Sequence, residues 1–148
     1  MYFEEIPLHW SRELKPVVME KEKMMAFARE YDPIPLHLDE EYAKTTMFKG
    51  LIAPGVMSFM TMWANYLEQD VVGEHLIAGK STKIEWHKPV YAGDALHGRA
   101  EITRLVKRSA RNGLVEVTIE AYNQNNVLVL TNVTEAIVRC KEVSQPEA

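Results

Sequence analysis

Residues 54–69, PGVMSFMTMWANYLEQ, decide the fold of this chain. Large apolar residues recur there at helical spacing and fall on one face: Val56, Phe59, Met60, Trp63 and Leu67. Three further residues widen the apolar surface beyond that face: Met57, Met62 and Ala64. A helix that is apolar over so much of its circumference is typically surrounded by protein. We therefore expect a central helix whose methionine and aromatic side chains pack in the core.

The chain after Gly73 predicts a sheet. Four strand-like runs are separated by short segments of turn residues, and they span residues 75–90, 94–109, 113–124 and 126–140. The third run alternates, with one face formed by Val115, Val117, Ile119 and Ala121. The short turns favour an antiparallel meander, and the economical packing is a curved sheet wrapped around the helix. The predicted fold class is therefore α+β.

The organisation of the chain follows from its length of 148 residues, which is typical of one domain. We expect a single domain over residues 1–143 and a flexible tail at residues 144–148. Residues 2–19 are predicted to be an irregular extended entry, with a short strand or edge segment at residues 17–19. One sheet around one helix leaves an edge and part of a face open, which favours a homodimer or larger homo-oligomer.

The segment before the central helix predicts two shorter helices. The first carries apolar residues at helical spacing: Met24, Phe27, Ala28 and Tyr31. It should end at Asp32, because a residue that precedes proline disfavours the helical conformation. Residues 33–35, Pro-Ile-Pro, are then predicted to be a stiff extended link. Asp39 is the predicted N-cap of the second helix, which a glycine-terminated turn at residues 49–50 closes.

Composition argues against several classes of protein. Hydrophobic residues make up 47% of the chain and charged residues 26%, as in ordinary globular proteins. The formal net charge of -4 argues against a nucleic-acid partner. No apolar run approaches the roughly 18 residues that span a bilayer, and the N-terminus lacks a signal-peptide pattern, so we expect no membrane association and a cytoplasmic protein. The single cysteine, Cys140, excludes an intramolecular disulfide and a Cys-rich metal site.

Asp32 and His37 are the first candidate catalytic residues. Histidine titrates near neutrality, and a neighbouring carboxylate can orient it or share a water molecule with it. The proline-rich segment between the two residues would hold their side chains in a fixed relation. An isolated pair at this spacing is not specific, since Asp32 could cap a turn while His37 packs under the following helix.

Gly55 is the third candidate, because it stands at the start of the central helix. The first turn of a helix presents unpaired N–H groups and the positive end of the helix dipole. Glycine lets a ligand approach the backbone closely, and such a site suits a thioester carbonyl whose oxygen becomes negative during reaction. A glycine that merely starts a helix explains this residue equally well.

The segment that holds these candidates resembles the MaoC-like acyl dehydratases, a hot-dog-fold family that includes the (R)-specific enoyl-CoA hydratases. The family pattern runs as Asp, any residue, Asn, Pro-Leu-His, any residue, Asp, then Ala, Phe and Ile-Ala-His-Gly. The matching residues here are Asp32, Pro35, Leu36, His37, Asp39, Ala43, Phe48, Leu51, Ile52, Ala53 and Gly55. Residues 79–102, GKSTKIEWHKPVYAGDALHGRAEI, resemble the family's later strand, turn and strand. The resemblance covers roughly residues 15–140 and implies a hot-dog fold.

Two residues depart from the family pattern. Ile34 stands at the family's asparagine, and Pro54 stands at the histidine before the glycine. Both departures replace polar groups near the expected site, so they bear on the substrate and on the activity itself. Ile34, Pro54 and Ser58 are the candidate residues of the substrate pocket.

The resemblance implies reversible hydration of a trans-2-enoyl thioester to a (3R)-3-hydroxyacyl thioester. Asp32 and His37 would hold and activate the water that adds at C3, and one of them would relay a proton to C2. The Gly55 N–H would stabilise the enolate-like oxygen. No metal or redox cofactor is needed, since coenzyme A or an acyl-carrier arm is part of the substrate. Which residue is the acid, and which acyl chain is bound, remain open at this point.

Two other functions compete with hydration. A hot-dog thioesterase would act on the same kind of ligand, but members of that class usually carry an acid on the central helix, and residues 54–67 contain none. A non-catalytic acyl-CoA-binding subunit would explain the two departures from the pattern, whereas the retained Asp32 and His37 argue against it.

The remaining candidate groups are interpreted as structural or surface residues. Four histidines show no metal-ligand spacing: His9, His75, His87 and His97. Cys140 ends the last predicted strand without a visible partner, as a buried thiol does. Basic residues are frequent in residues 80–111, either as a solvated sheet face or as contacts for the phosphates of coenzyme A or of a carrier arm.

Overall fold

The computed structural model describes residues 1–69 and 71–142, so the predicted tail and the predicted end of the domain at residue 143 lie outside it. The helices are α1 (Lys21–Tyr31), α2 (Pro35–Leu38), α3 (Glu40–Thr45) and α4 (Gly55–Leu67). The strands are β1 (Ser11–Val18), β2 (Leu76–Trp86), β3 (Ala95–Lys107), β4 (Asn112–Tyr122) and β5 (Leu128–Arg139). Two 3-10 turns complete the described elements, at Phe3–Glu5 and Gly73–His75.

The five strands form one antiparallel sheet in the order β1-β3-β4-β5-β2. The predicted strands are confirmed, and β3, β4 and β5 form the expected meander. The prediction that β2 joins this meander next to β3 is wrong, because β2 pairs with β5 at the far edge. The connection at residues 87–94 cannot form a tight hairpin, since it is tied beneath the start of α4 by the bridge between Ile52 and Tyr91 and by the bond from Ala53 N to Val90 O.

The sheet wraps around α4, which contacts β1, β3 and β4. The predicted alternation of β4 is confirmed, because the side chains of Val115, Val117, Ile119 and Ala121 are all at most 2% exposed. Facing them, α4 buries apolar side chains such as Phe59 and Met62. This α+β architecture is the hot-dog fold that the resemblance implied.

The face of α4 that turns inward differs from the predicted one. Val56, Met60 and Leu67 are 44–48% exposed, whereas the buried residues of the helix are Ser58, Phe59, Met62, Asn65 and Tyr66. The apolar pattern did not reveal the inward face because that face includes two polar residues, Ser58 and Asn65. The Nδ2 of Asn65 donates to the carbonyl oxygen of Lys15 in β1, at 2.7 Å, whereas its Oδ1 has no hydrogen-bond partner within residues 1–69 and 71–142.

The N-terminal half contains three local corrections. Residues 11–18 form an edge strand rather than an irregular entry, and the strand tolerates Pro16 through a register shift between Leu14 and Val17. The predicted extended link becomes helical at Pro35, whose fixed φ suits the first position of α2. The turn after α3 places Lys49, not Gly50, in the left-handed region, with φ 61°.

Two predictions about helix ends are confirmed. Asp32 ends α1, and its N–H donates to the carbonyl oxygen of Ala28. Asp39 caps α3, where its Oδ1 accepts from the N–H of Tyr42 at 3.0 Å. No helix within residues 1–69 and 71–142 is long and apolar enough to cross a membrane.

Candidate active site

His37 is held in a single orientation by the backbone of another segment. It lies in α2, its side chain is 7% exposed, and its Nδ1 is 2.8 Å from the carbonyl oxygen of Ile52. A carbonyl oxygen only accepts hydrogen bonds, so Nδ1 carries a proton and donates it to Ile52. The other ring nitrogen, Nε2, is thereby left to exchange protons with the site.

Asp32 provides the group that faces Nε2. Its Oδ2 lies 3.2 Å from Nε2 of His37, while its side chain is 44% exposed. The carboxylate is placed by the end of α1 and by the next turn, in which the N–H of Ile34 donates to the Asp32 carbonyl oxygen at 2.8 Å. Both Oδ2 and an unprotonated Nε2 are acceptors, so the contact is a hydrogen bond when one of the two atoms carries a proton. The two side chains are thus within hydrogen-bond distance of each other at the cavity.

Gly55 is the first residue of α4, as predicted, and Pro54 is its N-cap. Within residues 1–69 and 71–142 the Gly55 N–H has no backbone acceptor, as expected for the first turn of a helix. A Cβ at Gly55 would overlap the indole ring of Trp86. The packing of Trp86 therefore favours glycine here, in addition to the close ligand approach predicted from the sequence.

These three residues line one cavity of about 500 Å³. Its other polar lining residues are Ser58, His87 and Lys88, and its remaining lining residues are Phe48, Ile52, Ala53, Val56, Trp86, Pro89 and Val90. The cavity is thus mostly apolar and carries its acid–base pair on one wall. A cavity of this kind can hold an apolar ligand and orient it by a few polar contacts.

A second cavity of about 470 Å³ adjoins the first. Two residues, Asp32 and Val56, line both cavities. The other residues of the second cavity are Phe27, Tyr31, Pro54 and Met60. The carboxylate of Asp32 therefore stands where two apolar spaces meet.

The three predicted pocket residues lie in different places. Ser58 lines the first cavity, and Pro54 lines the second. Ile34 lines neither of these two cavities, and it is 44% exposed. The side-chain oxygen of Ser58 is buried and has no hydrogen-bond partner among residues 1–69 and 71–142.

Residues 86–88 line the site, although Trp86 was not singled out from the sequence, His87 was interpreted as a structural or surface residue, and Lys88 was one of the basic residues considered as phosphate contacts. Trp86 ends β2, and His87 follows it with its N–H bonded to the carbonyl oxygen of Val129 at 2.8 Å. Lys88 brings a positive charge to the cavity. The only available signal was their position within the segment that resembles the family's later strand. That position could have moved His87 from the surface residues to the site.

Other reactive groups lie away from this pair. Cys140 is 2% exposed, and burial raises the pKa of its thiol, which makes it a poor nucleophile. Within the described parts of the chain, no cluster of three or more His, Cys, Asp or Glu side chains is placed to hold a metal ion.

The fold and the site together define a hot-dog domain with a His–Asp pair at the mouth of an apolar cavity. The family model of the MaoC like domain matches residues 6–125. The chain belongs to this family. Its relatives include the uncharacterized protein YdeM of Bacillus subtilis, which is 32% identical over 128 residues, 84% of this chain and 89% of that protein.

Relatives with a named activity are more distant. An (R)-specific enoyl-CoA hydratase of Rhodospirillum rubrum is 29% identical over 109 residues, which are 71% of this chain and 72% of that protein. Among solved structures, a MaoC-like dehydratase from Rhodospirillum rubrum superposes with a TM-score of 0.84 at 24% identity, covering 97% of this chain and 99% of its own. This structural likeness shows the fold.

Proposed function

We propose that the protein interconverts a trans-2-enoyl thioester and a (3R)-3-hydroxyacyl thioester by adding or removing water. The observation that carries this proposal is the His37–Asp32 pair, whose Nε2 and Oδ2 lie 3.2 Å apart at the wall of a mostly apolar cavity. Membership of a family that includes (R)-specific enoyl-CoA hydratases supports the same reaction.

In the direction of hydration, a water molecule that hydrogen-bonds to both Asp32 and His37 from the cavity attacks C3. The bond between the water oxygen and C3 forms as the π electrons of the C2–C3 bond move toward the thioester oxygen. The pair takes one proton from the water and returns one proton to C2, so the addition is balanced. Because Nδ1 of His37 is committed to Ile52, proton exchange on this residue passes through Nε2.

The negative charge of the enolate develops on the thioester oxygen, and the start of α4 would stabilise it. The Gly55 N–H has no backbone acceptor in the described chain, and it lies at the positive end of the helix dipole. The apolar walls of the two cavities would accommodate the acyl group. Coenzyme A or an acyl-carrier arm enters as part of the substrate, and Lys88 offers a cation at the cavity.

The direct test is to follow the loss of enoyl-thioester absorbance with crotonyl-CoA, beside an assay for free thiol. Asp32→Asn and His37→Ala should each lower the rate of hydration by about 10³-fold, within the range for loss of a general acid or base. His37→Gln serves as a second variant if the smaller alanine destabilises the fold. Near wild-type rates in these variants would refute the site assignment.

The matched control is His9→Asn. His9 is an exposed histidine whose φ of 66° asparagine tolerates, so this variant should keep wild-type activity. Release of thiol without hydration would instead identify a thioesterase. The absence of both signals over several chain lengths would favour an acyl-CoA-binding subunit.

We further propose that the protein acts as a homodimer. The edge strand β2 is exposed along almost all of its length, and α4 presents Val56, Met60 and Leu67 to solvent. Exposed strand edges and apolar patches are features that natural proteins cover. Light scattering should give twice the mass of one chain, and a monomeric mass at micromolar concentration would contradict this assembly.

A further inference from the structure

Ser58 carries a buried hydroxyl that the fold itself does not use. The residue is 1% exposed, and its Oγ has no hydrogen-bond partner within residues 1–69 and 71–142. Buried hydroxyl groups in folded proteins are normally paired, so each exception requires an explanation. The same side chain lines the cavity that contains the His37–Asp32 pair.

Another hydroxyl on the same helix shows what Ser58 lacks. Thr61 donates from its Oγ1 to the carbonyl oxygen of Met57, four residues earlier, at 2.8 Å. The equivalent acceptor for Ser58 is the carbonyl oxygen of Pro54. That oxygen already accepts from the N–H groups of Met57 and Ser58, at 3.0 and 3.3 Å. The usual intrahelical partner is thus occupied, and the Ser58 hydroxyl is left without an acceptor in its own helix.

Ser58 also stands on the same side of α4 as Gly55. Residues three apart on a helix are neighbours on its surface, and both of these residues line the cavity. The acyl end of a thioester has one strong hydrogen-bond acceptor, its carbonyl oxygen. Within the described parts of the chain, the Gly55 N–H and the Ser58 hydroxyl are unpaired donors that such an oxygen could find at the start of α4.

We propose that Ser58 donates a hydrogen bond to the thioester carbonyl oxygen, as a second donor beside the Gly55 N–H. This inference rests on the proposed function, which supplies the thioester. Two donors aimed at the same oxygen stabilise the enolate more than one does, because the negative charge grows on that atom during reaction. Ser58 is thereby a catalytic residue, distinct from the pair that moves the protons.

The first experiment compares Ser58→Ala with Thr61→Ala in the hydration assay. Removal of one donor to a developing oxyanion should lower kcat/KM by about 100-fold in Ser58→Ala. Thr61→Ala removes a hydroxyl that only bonds its own helix, so it should keep wild-type activity. Unchanged kcat/KM in Ser58→Ala would overturn the proposal. Ser58→Cys, which is slightly larger and donates only weakly, replaces the alanine variant if that variant fails to fold.

Thermal unfolding separates catalysis from structure. Ser58→Ala removes an unpaired buried hydroxyl, so its Tm should equal or exceed that of the wild type. Thr61→Ala loses an intrahelical bond, so its Tm should not rise. A lower Tm for Ser58→Ala, with a loss of activity that follows the unfolded fraction, would show a structural role and overturn the inference.

A spectroscopic experiment tests the contact without turnover. The carbonyl stretch of butyryl-CoA labelled with ¹³C at C1 should move to lower wavenumber on binding to the wild type. In Ser58→Ala it should return part of the way toward the free value. An identical stretch in both proteins would overturn the proposal. If the wild type binds this probe but does not hydrate crotonyl-CoA, the proposed function fails while the hydrogen bond of Ser58 is still tested.

Discussion

The two faces of α4 both carry apolar side chains, but one face is buried and the other is exposed. The inward face packs Phe59 and Met62 against the sheet, with exposures of 6% and 0%. The outward face carries Val56, Met60 and Leu67, which are 44–48% exposed. A single chain therefore leaves part of the apolar surface of its central helix exposed.

The two faces of α4 therefore serve different purposes, one in the stability of the fold and the other in the assembly of the protein. The inward face stabilises the domain by itself, whereas the outward face is available to a partner. The proposed site lies where the two faces meet, at the first turn of α4. Gly55 and Ser58 line the first cavity there, and Val56 of the outward face lines both cavities.

The largest expected effect is on the inward face. Met62→Ala should lower the free energy of unfolding by about 2–5 kcal/mol, because it leaves a cavity at a fully buried position. Urea denaturation measures this loss, which should not depend on protein concentration. Met60→Ala makes the same chemical change on the outward face. Its cost should depend on concentration, and equal, concentration-independent costs in both variants would contradict the distinction between the faces.

The second-largest expected effect is on the assembly of the proposed dimer. Met60→Glu should raise the dimer dissociation constant by about 100-fold or more, since an unpaired buried charge costs about 3 kcal/mol or more. Light scattering at micromolar concentration should then give the mass of one chain. The matched control is Val106→Glu, which places the same charge at a 39% exposed valine in β3. A dimeric mass for Met60→Glu would exclude this face from the interface.

Sequence patterns were sufficient for the parts of the fold that depend on local spacing. The helix at residues 55–67, the alternation of β4 and the cap at Asp39 follow from residues that are near one another in the chain. Patterns were not sufficient for the inward face of α4, because Asn65 is compatible with burial only through its bond to Lys15, 50 residues away. The pairing of β2 with β5 also joins residues that are far apart in the chain, so local patterns do not reveal it.

The candidate site likewise has features that the sequence predicted and features that it did not. The family resemblance placed Asp32 and His37 together, and the structure puts their side chains 3.2 Å apart. The contact that fixes the proton on Nδ1 uses a backbone carbonyl, that of Ile52, which no side-chain pattern reveals. The packing of Trp86 over Gly55 joins residues 31 positions apart, so the sequence suggested a different reason for the glycine.

The smallest expected effect is that of Gly55→Ala, which tests the role of Trp86 packing at the junction of the two faces of α4. Gly55→Ala should lower kcat/KM by about tenfold, because a Cβ displaces the indole of Trp86 and shifts the first turn of α4 by a fraction of an ångström. The cost in unfolding free energy should be at most about 1 kcal/mol, since Trp86 is 52% exposed and can move outward.

The double variant Gly55→Ala with Trp86→Ala distinguishes the two explanations of the glycine. If packing requires glycine, removal of the indole makes room for the Cβ, and the double variant should regain the activity of Trp86→Ala alone. The two substitutions would then be strongly non-additive, as expected for residues in direct contact. If glycine instead serves the close approach of the ligand, the Cβ still obstructs that approach, and the tenfold loss should persist without the indole.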